Sequence, residues 1–147
     1  MKAFFVLLLC LVFLYHPRVS DAQQAYPKNY FRPPVDFRIL LAGSFGELRK
    51  NHFHSGIDIR TESVEGKPVY AVADGYVSRI SVSPSGFGKA LYITHPNGFV
   101  SVYGHLRGFN VAIGSWVRTR QYKDELFAMD TPLEPGVLVV KKGDLIA

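Results

Sequence analysis

The chain is poor in cysteine. Its single cysteine, Cys10, lies inside an uninterrupted apolar run from Phe4 to Tyr15. Lys2 precedes this run, and Ser20 and Ala22 place small residues at positions −3 and −1 of a cleavage site, which is the pattern of a secretory signal peptide. We therefore expect residues 1–22 to be a signal peptide cleaved after Ala22. Cleavage would remove the cysteine, so the exported domain would contain no disulfide.

The sequence also lacks an apolar run long enough to cross a bilayer. The run from Phe4 to Tyr15 falls short of the roughly 20 residues that a transmembrane helix needs, and no later segment is more apolar. We therefore expect no stable membrane span after signal cleavage. The predicted location is the periplasm, the cell envelope or the extracellular medium.

Strong charge of one sign is absent as well. The 17 lysines and arginines exceed the 12 aspartates and glutamates by only five, and they are scattered along the chain. Proteins that bind nucleic acid usually carry a basic patch or stripe, which this sequence does not have. The composition therefore argues against a nucleic-acid partner, and it does not indicate an oligomeric state.

Helical periodicity is missing from most of the chain, whereas short apolar strands separated by turn residues recur. At 147 residues and 48% hydrophobic composition, the chain suits one globular domain. We predict an extended, proline-rich lead-in over 23–42 and an all-β domain of mainly antiparallel strands over 43–147. One short helix is expected near 115–128. Strands are predicted at 68–73, 76–82, 90–95, 99–105 and 136–140, with a hairpin turn at Asp74-Gly75.

The pair of strands around Asn97-Gly98 predicts a hairpin with a two-residue type I′ turn. This turn would place Ile93 opposite Val102 and Leu91 opposite Gly104. Strand alternation would then put Leu91, Ile93, Val100 and Val102 on an apolar face. Tyr92, Thr94, Ser101, Tyr103 and His105 would lie on a polar face.

The same alternation separates two histidines of this hairpin. His95 falls on the core side, which indicates a structural histidine that is hydrogen-bonded near the turn. His105 falls on the polar side at the end of its strand, where a functional group is expected. An exposed strand-end histidine without a role is the alternative for His105.

The segment Asn51-His52-Phe53-His54-Ser55-Gly56-Ile57-Asp58-Ile59 gathers two imidazoles and one carboxylate. These are the nitrogen and oxygen donors that zinc accepts. In an extended strand His54 and Asp58 would be ~13 Å apart at ~3.3 Å per residue, so the chain must bend at Ser55-Gly56 for both to reach one metal. Two ligands of one zinc ion have donor atoms only ~3 to 3.5 Å apart. The alternative is a solvated loop without a metal.

Several ordered motifs together resemble the lysostaphin-type (LytM-like) zinc metallopeptidases. They are Gly46-Glu47-Leu48-Arg49-Lys50-Asn51-His52-Phe53-His54-Ser55-Gly56-Ile57-Asp58-Ile59, Pro68-Val69-Tyr70-Ala71-Val72-Ala73-Asp74-Gly75-Tyr76-Val77, His95-Pro96-Asn97-Gly98 and Tyr103-Gly104-His105-Leu106. The resemblance implies an antiparallel β fold with zinc in an open groove. It also implies hydrolysis of peptide bonds of bacterial peptidoglycan, in the stem peptide or a cross-bridge. By the same resemblance, His54 and Asp58 are zinc ligands and His105 assists catalysis.

One part of the family pattern is missing. The family's third zinc ligand belongs to a His-x-His pair, but no histidine follows His105 and the role of His52 is open. We therefore expect the 43–147 domain to be truncated before its last strands, and this fragment alone to bind zinc weakly and be inactive. A non-catalytic domain that binds the cell wall or regulates a wall hydrolase is the second hypothesis. An exported β domain without a metal is the third.

Overall fold

The computed structural model describes residues 28–147, so the predicted signal peptide at 1–22 lies outside the described residues. Among residues 28–147 most of the regular structure is antiparallel strand, with one helix, which confirms the predicted fold class. The elements are β1 (Leu41–Gly43), β2 (Asp58–Ile59), β3 (Gly75–Val82), β4 (Lys89–Thr94), β5 (Val100–Leu106), α1 (Val111–Asp124), β6 (Met129–Pro132) and β7 (Val139–Val140). No helix in this range has the length and apolar character needed to cross a membrane.

The strands form two separate sheets. Strands β5, β4, β3 and β6 lie side by side in that order, and β7 pairs with the first residues of β3. The core cluster combines residues of this five-stranded sheet with Ile113 and Val117 of α1. Strands β1 and β2 form the second, two-stranded sheet. The core consists of Ala71, Val77, Ile80, Val82, Leu91, Ile93, Tyr103, Ile113, Val117, Leu133, Val140 and Ile146.

The hairpin of β4 and β5 forms as expected, but the predicted turn type is wrong. The His95 N–H donates to the Phe99 carbonyl (2.9 Å), and the Gly98 N–H donates to the His95 carbonyl (2.9 Å). Within the loop only Gly98 has a positive φ, of 83°. The loop therefore has three residues with glycine in the left-handed position, rather than the two of a type I′ turn.

The extra loop residue shifts the register of the hairpin by one. Leu91 pairs with Tyr103, and Ile93 pairs with Ser101. A shift of one residue moves every side chain of a strand to the other face of the sheet. The predicted faces of β5 are accordingly wrong, because Val100 and Val102 are 50% and 49% exposed while Tyr103 is only 8% exposed.

The helix lies earlier in the chain than the predicted span of 115–128. Asn110 is its N-cap, because the Asn110 side-chain oxygen accepts a hydrogen bond from the Ile113 N–H (2.8 Å). The helix ends at Asp124, since Glu125 has left-handed backbone angles that cannot continue it. The last residues of the predicted span lead into β6, which pairs with β3.

The predicted strand at 68–73 and the hairpin turn at Asp74-Gly75 are also wrong, since β3 begins at Gly75. The backbone of 69–72 instead bonds to two irregular neighbours. The Ala71 N–H donates to the Asp144 carbonyl (2.9 Å), and the Tyr70 N–H donates to the Pro34 carbonyl (2.8 Å). The described part of the lead-in therefore packs against the domain rather than standing apart from it.

Candidate metal centre

The predicted metal motif lies on a β-hairpin of residues 46–54 and on β2. The Gly46 N–H donates to the His54 carbonyl, and the His54 N–H donates to the Glu47 carbonyl, each with a distance of 2.8 Å. The chain then bends at Gly56 and enters β2 at Asp58. This is the strand, bend and strand that two ligands four residues apart require.

The bend brings the side chains of His54 and Asp58 together. His54 Nε2 lies 3.4 Å from Asp58 Oδ1, and both side chains are partly exposed. Two donors bound to one zinc at ~2.0–2.2 Å with tetrahedral angles are separated by about the same distance. The spacing of this pair therefore matches the distance expected from the sequence.

The other ring nitrogen of His54 fixes the direction of the imidazole. His54 Nδ1 lies 3.1 Å from the Ser44 carbonyl oxygen. Nδ1 also lies 3.5 Å from Arg49 Nη2, which can only donate, whereas the Ser44 carbonyl can only accept. The shorter contact, to Ser44, favours the tautomer with the proton on Nδ1. Nε2 is then left with its lone pair directed toward Asp58. Ligating histidines commonly use this arrangement, in which the far N–H is held by a backbone oxygen.

The donor pair fits a cation. In the neutral imidazole with its proton on Nδ1, the lone pair of His54 Nε2 faces the carboxylate oxygen Asp58 Oδ1. Two acceptors at 3.4 Å repel each other unless a cation or a proton lies between them. Imidazole nitrogen and carboxylate oxygen are both zinc ligands, so the chemistry of the pair suits this ion.

The described residues contain no group of three or more His, Cys, Asp or Glu side chains arranged to hold a metal ion. His52 lies on the same hairpin, but it is exposed and its Nδ1 bonds to Asn51 Oδ1 (2.7 Å). His54 and Asp58 are therefore brought together as a pair, and neither His52 nor His105 joins them as a third ligand.

His105 is exposed at the end of β5 because of a β-bulge. Gly104 and His105 together lie opposite Ala90, and His105 has a left-handed φ of 55°. The His105 N–H leaves the sheet and donates to the Phe87 carbonyl (2.8 Å). Bulges often redirect a side chain beside a functional site, and left-handed angles are uncommon for residues other than glycine. Without the extra residue, alternation would turn His105 toward the core, like Tyr103.

His95 is buried, as predicted, and its polar atoms are satisfied by a chain of hydrogen bonds. His95 Nδ1 donates to the Asp74 carbonyl (2.7 Å), and Nε2 lies 2.9 Å from Ser101 Oγ. Ser101 Oγ contacts Tyr103 Oη (3.1 Å), which accepts the Val72 N–H (3.0 Å). Burial raises the pKa of Tyr103 above its ordinary value. His95 is thus a structural residue of the core.

Sequence reasoning missed three residues that surround the donor pair. Arg49 Nη2 donates to Asp58 Oδ2 (2.7 Å) and lies 3.3 Å from Glu47 Oε2. Gly43 pairs with Asp58 across the small sheet. Glu47 and Arg49 alternate on one strand of the hairpin, which indicates that their side chains share a face. This pattern could have identified Arg49, but the sequence analysis does not predict the hairpin.

The described residues thus form a mainly antiparallel β domain in which His54 and Asp58 make a partly exposed pair. Comparison with protein families gives the more specific result, because residues 52–122 match peptidase family M23. The matched segment contains His54, Asp58 and His105.

Individual relatives match over shorter parts of their length. The DD-carboxypeptidase/endopeptidase Mpg of Neisseria meningitidis serogroup B is 39% identical over 62 residues, which are 42% of this chain and 14% of that protein. An uncharacterized metalloprotease of Haemophilus influenzae is 27% identical over 97 residues, 62% of this chain and 20% of that protein. The cell division protein DipM of Caulobacter vibrioides is 30% identical over 78 residues, 53% of this chain and 12% of that protein.

The chain thus spans only 12% to 20% of the length of these relatives. No solved structure matches the chain.

Proposed function

We propose that this protein is an exported zinc metalloendopeptidase that hydrolyses peptide bonds of bacterial peptidoglycan. The observation that carries the proposal is the 3.4 Å approach of His54 Nε2 to Asp58 Oδ1 within a segment that matches peptidase family M23. The name of the Neisseria relative, a DD-carboxypeptidase/endopeptidase, supports a peptide substrate of the cell wall. The pattern of the first 22 residues supports export.

In this proposal His54 Nε2 and Asp58 Oδ1 hold the zinc ion. When bound, zinc acts as a Lewis acid that polarises a carbonyl group and lowers the pKa of water. The Ser44 carbonyl keeps the His54 proton on Nδ1, which leaves Nε2 free to coordinate. The backbone of Ser44 therefore sets the tautomer on which metal binding depends.

His105 is the proposed catalytic residue. Its imidazole is exposed at the bulge, where it is free to donate a hydrogen bond or a proton to a reacting oxygen. Its backbone is fixed by the hydrogen bond to Phe87, and the Phe87 ring packs edge-on against the imidazole at 6.2 Å between centroids. These contacts limit the movement of a group that must be accurately placed.

A second candidate function is binding of the cell wall, or regulation of a wall hydrolase, without cleavage. Two observations favour it: only two potential ligands meet within residues 28–147, and one relative is named as a cell division protein rather than as a peptidase. This hypothesis predicts that peptidoglycan binding survives the loss of both His54 and Asp58.

Zinc affinity of single variants provides the first test. H54A and D58A should each weaken zinc binding by more than the ~10 to 100-fold that follows loss of an outer hydrogen-bond partner, because each removes a ligand. Competition with a chromogenic chelator measures the dissociation constants. H52A is the matched control, since His52 lies on the same hairpin and should leave the affinity unchanged.

Incubation of purified peptidoglycan with the zinc-loaded product of the complete gene provides the second test, since residues 43–147 alone are expected to be inactive. New amino and carboxyl termini that appear with the wild type and H52A, but not with H54A or D58A, support the peptidase. Pull-down of peptidoglycan by all four proteins without new termini would support the non-catalytic binding domain instead. Unchanged zinc affinity in both H54A and D58A would refute the metal site.

A further inference from the structure

Arg49 is a member of a ring of polar contacts that includes the donor pair. Its Nη2 lies 2.7 Å from Asp58 Oδ2 and 3.3 Å from Glu47 Oε2. Glu47 Oε2 also accepts the Ser44 N–H (3.2 Å), and the Ser44 carbonyl faces His54 Nδ1 (3.1 Å). The ring therefore runs from Ser44 through Glu47, Arg49 and Asp58 to His54, and returns to Ser44.

The ring assigns different partners to the two oxygens of Asp58. Oδ2 faces the guanidinium of Arg49, whereas Oδ1 faces His54 Nε2 at 3.4 Å. A guanidinium hydrogen bond to a carboxylate is charge-assisted and is among the stronger hydrogen bonds in proteins. Arg49 thus competes for Oδ2 with any metal bound between His54 and Asp58.

The ion pair of Arg49 and Asp58 packs against the backbone of Gly43. A Cβ atom placed on Gly43 would lie 2.4 Å from Arg49 Nη2 and 2.5 Å from Asp58 Oδ2. A side chain at this position would therefore displace the Arg49 guanidinium, the Asp58 carboxylate or both. Arg49 Nε is buried with no hydrogen-bond partner among the described residues, so the guanidinium is held through Nη2 alone.

We propose that Arg49 is a positioning residue that holds Asp58 Oδ2 and so limits Asp58 to one oxygen, Oδ1, in metal binding. Glu47 holds Arg49 in place from the other side. The inference rests on the proposed function, because it concerns how the same site takes its zinc ion. Without Arg49, the freed carboxylate would turn and bind the metal through both oxygens, since carboxylates bind metals either way.

Infrared difference spectroscopy on the zinc-loaded protein tests this restriction. The separation between the antisymmetric and symmetric carboxylate stretches is wide when one oxygen binds a metal and narrow when both bind. Selective ¹³C labelling of aspartate and the variant D58N assign the bands. Wild type and R49K should show the wide separation, because lysine can supply one charged donor to Oδ2, whereas R49Q should show the narrow one.

A measurement on the metal-free protein separates this inference from the proposed function. Three-bond NMR couplings about the Asp58 Cα–Cβ bond should report one dominant rotamer in the wild type and averaging over at least two in R49Q. If the wild type takes up no zinc, the proposed function fails, while these couplings still decide the role of Arg49. A purely structural role of Arg49 would change the unfolding midpoint and leave both the couplings and the infrared bands unchanged.

Three further variants complete the design. G43A should reproduce the effect of R49Q with the arginine still present, because its Cβ would enter the space of the ion pair. E47Q weakens the contact that holds Arg49, so it should change the infrared band separation and the Asp58 couplings in the same direction as R49Q, but to a smaller extent. If R49Q does not fold, E47Q replaces it in the test. R79Q is the matched control, since Arg79 pairs with Asp130 on the large sheet.

The inference is overturned if R49Q, or E47Q in its place, keeps the wide band separation and the single Asp58 rotamer of the wild type. It is equally overturned if R79Q alters these readouts as much as R49Q does. The inference is established if R49Q and G43A show averaged Asp58 rotamers and a narrowed carboxylate band separation while R79Q does not.

Discussion

Two isoleucines show how differently the five-stranded sheet and the segment that carries the donor pair are stabilised. Ile80 lies at the centre of the five-stranded sheet and is 0% exposed, whereas Ile57 precedes the candidate ligand Asp58 and is 52% exposed. The same contrast holds for the whole of residues 41–59, which we call the motif segment. All of its large apolar side chains except that of Ile59 are exposed, namely Leu41, Phe45, Leu48, Phe53 and Ile57.

The motif segment is therefore organised mainly by polar contacts. Its hairpin is closed by backbone hydrogen bonds, and its side chains are joined by the ring through Arg49 and Ser44. The large sheet, in contrast, excludes water with a continuous apolar core. The apolar core and the candidate metal site therefore lie in different parts of the chain. Substitutions in the motif segment should leave the stability of the large sheet largely unchanged.

The largest expected effect comes from truncating a core isoleucine. I80A should lower the free energy of unfolding by ~2–5 kcal/mol, because it leaves a cavity in a closely packed core. I57A should change it by no more than about 0.5 kcal/mol, since its side chain is already half in water. Urea unfolding followed by circular dichroism measures both. Equal losses in the two variants would break the comparison.

A smaller effect is expected from the polar part of the core. Y103F removes the hydroxyl that accepts the Val72 N–H and contacts Ser101, so it leaves a buried donor unpaired. We expect a loss of ~1–3 kcal/mol, again by urea unfolding. Y122F is the control, because Tyr122 on α1 is exposed. If Y103F were as stable as Y122F, the core would not depend on this network.

The smallest effect is expected from the ion pair on the large sheet. The Arg79 guanidinium donates to both oxygens of Asp130 (2.6 and 2.5 Å) and holds the pKa of that carboxyl below its ordinary value. A lowered folded-state pKa contributes stability above the unfolded-state value of ~3.9, and this stability is lost as the pH falls through the folded-state value.

Because both side chains are largely exposed, the contribution of this pair should be slight. D130N should therefore lower the urea midpoint slightly near neutral pH and not at all at a pH well below ~3.9. The same titration of I80A should show a deficit at both pH values. A D130N deficit that stayed constant with pH would mean that something other than the charge of Asp130 is responsible.

Much of the fold follows from local sequence patterns. Strands β4 and β5 were predicted because their residues are apolar and β-branched and flank a turn rich in proline, asparagine and glycine. The burial of His95 also follows from alternation along β4, which the turn does not alter. The helix was misplaced because Asn110, the N-cap that marks its start, was not recognised.

The predicted strand at 68–73 failed for a different reason. Its composition suits a strand, but its hydrogen-bond partners come from 32–34 and 143–147, which are distant in sequence and not regular strands. Propensity describes how a residue fits a pleated surface and does not show which segment will lie beside it. The roles of His54, Asp58 and His105 remain predictions, to be tested by the zinc and peptidoglycan experiments above.

The amino-acid sequence was enough to predict the class of fold, the central hairpin and the close approach of His54 and Asp58. This was possible because these properties depend on residue type and short spacing. The face of the sheet on which each β5 side chain lies became known only from the tertiary structure. One additional loop residue moves the β5 side chains to the opposite face, and the bulge at Gly104 and His105 reverses the alternation again for the residues after it. The tertiary structure also decided that Arg49 reaches Asp58, because that contact requires the 46–54 hairpin to fold back against β2.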